Sequence, residues 1–220
     1  MSIELTEITK EYNGKAVVNH INLTIDGGFV CITGRSGSGK STLLKMIGLM
    51  LRPTSGKVLI NGADVWKCKE AELNKYRNAL LGFVFQDYSL EPSYTVFENV
   101  ELPLLIAGTP KDERKERVRK CLEFVGLSEF AKQRATTLSG GEQQRTAIAR
   151  AIVNEPSFVL ADEPCGNLDK ENGDKIMALF RTLADKGVTV VMVTHNEEDA
   201  KKTDRIIRLL DGKVVKDEKL

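Results

Sequence analysis

Gly34-Arg35-Ser36-Gly37-Ser38-Gly39-Lys40-Ser41 fits G-x-x-x-x-G-K-[ST] in full, a pattern whose chemistry is the holding of phosphates. Glycines let the backbone curl until consecutive amides converge on phosphate oxygens, and a following helix adds the positive end of its dipole. Lys40 is placed to set a cation between the β- and γ-phosphates of a nucleotide, and Ser41 to offer a hydroxyl to Mg²⁺. The flanks agree: the apolar run Phe29–Thr33 precedes the loop, and a helix is expected from Thr42-Leu43-Leu44. Two further chemistry-bearing residues, Asp162 and Glu163, close the apolar run Phe158–Ala161. Alone, paired acids after a strand are ordinary surface residues. Downstream of a phosphate-binding loop, Asp162 is suited to hold Mg²⁺ through water and Glu163 to orient and polarise an attacking water.

Such residues need strands that end together. Phe29–Thr33, Phe158–Ala161 and Val188–Val193 are continuous apolar runs, as central strands of a parallel sheet with both faces covered would be. Ile21, Leu23 and Ile25 alternate with Asn22 and Thr24, and Lys57–Ile60 closes on Asn61-Gly62, so the first part reads as β structure. Thr109 offers an N-cap, with Pro110 at N1 and Asp112 at N3. Val118, Cys121, Leu122 and Val125 then form a helical stripe, which makes the charges of Lys111–Lys120 its solvated face. Arg205–Leu210, Asp211-Gly212 and Lys213–Lys216 read as a hairpin. The expected fold is α/β: a parallel-sheet core, an N-terminal antiparallel β portion, and an inserted helical portion at roughly 87–150, all within one domain spanning 1–220.

Composition narrows the function class. Lys plus Arg number 32 against 31 Asp plus Glu, a net charge of +1, without the basic excess of a nucleic-acid binder. Four widely spaced cysteines lack metal-ligand spacing and read as reduced thiols. Met1–Glu7 shows no signal-peptide pattern, and no apolar run approaches the roughly 20 residues of a membrane span. Any membrane link is expected to come through a partner.

Leu138-Ser139-Gly140-Gly141-Glu142-Gln143-Gln144-Arg145 resembles the signature of the ABC ATPase superfamily, and it lies ahead of Asp162–Glu163 as that family requires. Its local physics is a helix N-terminus opened by Ser139. The resemblance spans essentially the whole chain and implies a P-loop nucleotide-hydrolase cassette using ATP and Mg²⁺. It further implies that Ser139, Gly140 and Gly141 face the γ-phosphate held by a second subunit, in an ATP-dependent, head-to-tail homodimer. By the same resemblance Tyr12 stacks on adenine, Gln86 is a Mg²⁺ and water ligand that senses the membrane partner, Asp169 reaches across the dimer, and His195 contacts the γ-phosphate. Cys165 departs from the threonine usual after Asp-Glu-Pro and reads as neutral.

Gly82–Gln86, Thr95–Leu104 and Gly166–Asp169 resemble the macrolide-exporter and lipoprotein-release branch. This implies a stand-alone ATPase subunit, peripheral on the cytoplasmic face of the membrane, that drives a separate permease handling peptides, macrolides or lipoproteins and reaching, through it, a periplasmic adaptor. A cell-division-type relative, an ATP-gated switch on a membrane protein that controls cell-wall enzymes, is the alternative.

Overall fold

The computed structural model describes residues 1–220, and its architecture follows from where the apolar runs can be covered. Four segments pair as an antiparallel sheet: β1 (Ile3–Tyr12), β2 (Lys15–Ile25), β4 (Ser55–Ile60) and the short β5 (Ala63–Asp64), in the order β2-β1-β4-β5. Six others form the core sheet: β3 (Phe29–Gly34), β6 (Leu81–Val84), β7 (Phe158–Asp162), β8 (Thr189–Val193), β9 (Arg205–Leu210) and β10 (Lys213–Lys219). Their order is β10-β9-β3-β8-β7-β6, with β3, β6, β7, β8 and β9 parallel and β10 antiparallel to β9. The helices are α1 (Lys40–Ile47), α2 (Glu70–Leu80), α3 (Val96–Ile106), α4 (Lys111–Phe124), α5 (Gly140–Ile152), α6 (Lys170–Asp185) and the single turn α7 (Glu197–Ala200). No helix is long and apolar enough to cross a membrane.

The continuous apolar strands are explained by two cores. Val30, Ile32, Leu160, Val191 and Val193 face a cluster with α1 and the antiparallel sheet, including Ile8, Ile21 and Leu43. Phe29, Cys31, Val159, Val190 and Met192 point the other way, into a cluster with Val100, Val118, Ile148 and Phe180. Each buried Leu, Ile or Phe contributes about 1.5–3 kcal/mol, so a polar residue on either face of these strands would be costly.

Local details depart from the expectations in three places. Helix α1 starts at Lys40, not Thr42, because Gly39 caps it in a left-handed conformation (φ 98°). Helix α4 has Pro110 at its N-cap, one residue later than expected, with an extended backbone (ψ 147°). The first intrahelical bond runs from Arg114 N to Pro110 O, while Thr109 O is taken by Arg114 Nη1 (2.7 Å) and Thr109 N still closes α3 on Leu104 O. The charged face of α4 is also not wholly solvated, since Arg114 donates to Glu101 Oε1 at 2.7 Å and joins α4 to α3. As expected, all four cysteines are free.

Two contacts fasten the sheets together. Arg205 donates to both carboxylate oxygens of Asp217 (2.7 and 2.6 Å) and to Thr24 O of β2 (2.7 Å). The β9–β10 turn rests on the phosphate loop, with Gly212 N donating to Ser38 O (3.2 Å) and Asn19 N donating to Gly212 O (2.8 Å).

Candidate active site

β3 delivers the glycine-rich loop to the end of the core sheet and α1 leads away from it. Gly39 is required here by space as well as by its φ: a Cβ would lie 2.4 Å from Val17 O. The N-terminus of α1 has no side-chain cap and no acid in its first turn, so its free amides and dipole face the loop without an acid of the helix itself. Lys40 is buried and donates to Gly34 O (3.0 Å) and Arg35 O (3.1 Å). Ser38 Oγ is buried without a hydrogen-bond partner.

The acids stand at the end of β7, two strands from β3 with β8 between them. Ser41 Oγ donates to Asp162 Oδ1 at 2.9 Å. Burial raises the Asp162 pKa above the ordinary carboxylate value, the Ser41 hydrogen bond opposes it, and the neighbouring Glu163 charge adds to the rise. Glu163 has a left-handed backbone (φ 46°) although it is not glycine, a conformation that persists only where surroundings enforce it. Its amide donates to Val193 O (2.9 Å), and Glu163 Oε1 lies 2.9 Å from His195 Nδ1. Gln86 comes from the loop after β6 and is held beside Asn167, whose Nδ2 donates to Gln86 O (3.0 Å).

Most of these groups line one cleft of about 520 Å³; Asp162 is not among its lining residues and meets it through Ser41. Its phosphate-loop side is Ser36, Gly37, Gly39, Lys40, Ser41 and Thr42; Gln86, Glu163 and His195 complete it. Val17 also lines it, with its carbonyl beside Gly39, and a lone valine in a strand carried no sequence signal. Gly34 and Arg35 line a neighbouring cleft that His195 borders as well. Tyr12 is not among the residues lining the main cleft; it sits at the end of β1 opposite Lys15, 48% exposed, with Lys10 Nζ 5.4 Å from its ring centroid.

Ser139, Gly140 and Gly141 are likewise outside the cleft. Ser139 caps α5 in a reciprocal box, accepting from Glu142 N (3.4 Å) while its own amide and hydroxyl donate to Glu142 Oε2 (both 2.7 Å). The hydrogen bonds from Ser139 hold the Glu142 carboxyl below its usual pKa. Gly141 packs on α6, where a Cβ would come within 2.7 Å of Asn172 Oδ1. Asp169 caps α6 and accepts from Asn172 N (2.8 Å) and Asn172 Nδ2 (2.9 Å), which lowers its pKa. One chain thus presents two separate helix N-termini, α1 inside the cleft and α5 outside it.

Comparison with known proteins identifies the family. The family described as ABC transporter matches residues 18–166. An ABC transporter ATP-binding protein of Thermotoga maritima is 48% identical, over 96% of this chain and 93% of the relative. The lipoprotein-releasing system ATP-binding protein LolD of Bacteroides fragilis is 45% identical over 97% of this chain and all of its own length (100%). Among solved structures, the dimeric bacterial ABC transporter cassette MJ0796 superposes with a TM-score of 0.91 at 43% identity, covering 99% of this chain and 98% of that one. The same cassette is known as a dimer in a post-hydrolysis state bound to ADP and Pi, again with a TM-score of 0.91. On these grounds the chain belongs to the ABC transporter family, as an ATP-binding subunit of the kind that includes LolD.

Proposed function

We propose that the chain hydrolyses ATP in a Mg²⁺-dependent reaction, as half of a head-to-tail dimer, and that the cycle drives a separate integral membrane permease. One observation carries this reading: Ser36–Gly37 and Gly39–Ser41 of the phosphate loop and the Glu163–His195 pair line a single cleft, and Asp162 is bonded to it through Ser41.

In this reading the triphosphate enters the ring of loop amides, and Lys40 exchanges the carbonyls of Gly34 and Arg35 for phosphate oxygens. Ser41, Asp162 and Gln86 would hold Mg²⁺. They offer hydroxyl, carboxylate and amide oxygen, the hard donors this ion takes, and Ser41 and Asp162 are already in contact. There the ion would neutralise negative charge on the phosphates. Glu163 orients the attacking water and draws on its proton, while His195 reaches the γ-phosphate from the adjoining strand end.

Ser139, Gly140, Gly141 and Asp169 serve the cleft of a second copy. Their position outside their own cleft supports this, as does the dimeric state of MJ0796. Adenine stacks on Tyr12. ATP favours closure of the two copies, hydrolysis reopens them, and the Gln86 loop passes that motion to the permease. The membrane contact is assigned to that permease, on the cytoplasmic face, with an adaptor beyond it. Lipoprotein is the favoured cargo of the assembled complex, on the strength of the LolD relatives.

The test is to purify the chain from membranes with its bound partners. A permease should co-purify, and ATP turnover should vanish when EDTA removes Mg²⁺. A chain that binds no ATP, or turns it over equally in EDTA, would overturn the reading.

A further inference from the structure

Gln144 lies on α5, five residues past Ser139, and is fully buried at 0% exposure. Its Nε2 donates to Pro164 O at 2.7 Å. Its Oε1 is buried with no hydrogen-bond partner. An orphaned buried amide oxygen is unfavourable, and a leucine or methionine would fill the same space without it. A role in packing alone therefore does not explain the glutamine; the donor does.

That donor is aimed at a strained turn. Glu163 combines a left-handed backbone with a position directly before proline, where Cδ of the ring already restricts the preceding residue. Glu163 N donates to Val193 O (2.9 Å) and Gly166 N donates to Glu163 O (3.0 Å), which pins the turn to β8 and to its own far side. The Gln144 bond fixes the remaining peptide, Pro164 O, from α5.

We infer that Gln144 is a positioning residue for hydrolysis: it holds the Glu163–Pro164 turn so that the Glu163 carboxylate stays aimed into the cleft. The inference rests on the proposed role of Glu163. It also ties the helix that opens with Ser139–Gly141, serving one nucleotide, to the carboxylate that serves the other.

The test measures Mg²⁺-ATP turnover of Gln144→Met, which keeps the volume and removes the donor, with kcat normalised to molecules that bind ATP. Misplacing a reacting group by about 1 Å costs up to about 100-fold, so kcat should fall about 10- to 100-fold while KM and ATP affinity change less than about twofold. Gln144→Asn, which draws the donor back by one methylene, should show the same split and carries the test if Gln144→Met does not fold. A kcat within about twofold of the parent, or a loss of kcat matched by a loss of ATP binding, would overturn the inference. If instead the parent chain itself shows no Mg²⁺-dependent turnover, it is the proposed function that fails.

Discussion

His195 Nδ1 stands 2.9 Å from Glu163 Oε1, bridging the ends of β8 and β7. The two side chains differ sharply in freedom: Glu163 is 16% exposed and His195 72%. The carboxylate is held while the imidazole has room to turn. Glu163→Gln keeps the shape and removes the carboxylate proposed as the base, so turnover should fall at least about 100-fold with ATP affinity nearly unchanged. His195→Ala should lower kcat as well and leave the Glu163 turn in place. Steady-state turnover and nucleotide titration check both, and parent-like turnover in Glu163→Gln would end its assignment as the base.

Gly39→Ala tests the loop itself. The added Cβ meets Val17 O at 2.4 Å from a backbone at φ 98°. Strain of this kind costs about 1–3 kcal/mol, which for a chain of this size lowers Tm by about 2–4 °C per kcal/mol. ATP affinity should fall with it, because Val17 and Gly39 both line the cleft. Calorimetry and titration on the same sample would show whether the two effects travel together.

The Arg205–Asp217 clasp makes an acid-side prediction. The hydrogen bond from Arg205 holds the Asp217 carboxyl below its ordinary value of 3.8. A carboxyl depressed on folding adds stability that is present above the unfolded value and is lost as pH falls through the folded one. Stability should therefore decline from about pH 4 downward, and the decline should be shallower in Asp217→Asn. Denaturant midpoints at pH 7, 4 and 3 would show it; parallel curves for the two proteins would refute it.

Tyr12 bears on base recognition. A stacking ring supplies area but reads no hydrogen-bond edge, so Tyr12→Ala should weaken ATP and GTP alike. Base–aromatic stacking is worth about 1–3 kcal/mol, or at least about a fivefold loss, and Tyr12→Trp should be tolerated. Unchanged ATP affinity in the alanine variant would place the adenine elsewhere.

The phosphate loop was legible because its chemistry is written in side chains and glycines that no other structure needs in that order. The buried strands were legible because both their faces are covered, leaving no polar position to blur the run. What stayed hidden works through backbone or through distant pairing. Val17 is a lone valine whose carbonyl sits beside Gly39, Asn167 meets Gln86 from a distant segment, and the first bond of α4 goes to Pro110 O and not to Thr109 O, which Arg114 Nη1 takes. The separation of Ser139–Gly141 from the cleft on the same chain came only from the family resemblance, since nothing local to a helix N-terminus says which ligand it meets.

The buttressing of the phosphate loop has a consequence during synthesis. Gly212 supports Ser38 and Asn19, and Asp204 accepts from Phe29 N across 175 residues of sequence. A ribosome making about 5–20 residues per second delivers these supports about 10–35 s after the loop they hold. Nascent chains stalled before Asp204 should therefore carry the whole glycine-rich motif and still fail to retain ATP, whereas those stalled with Gly212 clear of the exit tunnel should retain it.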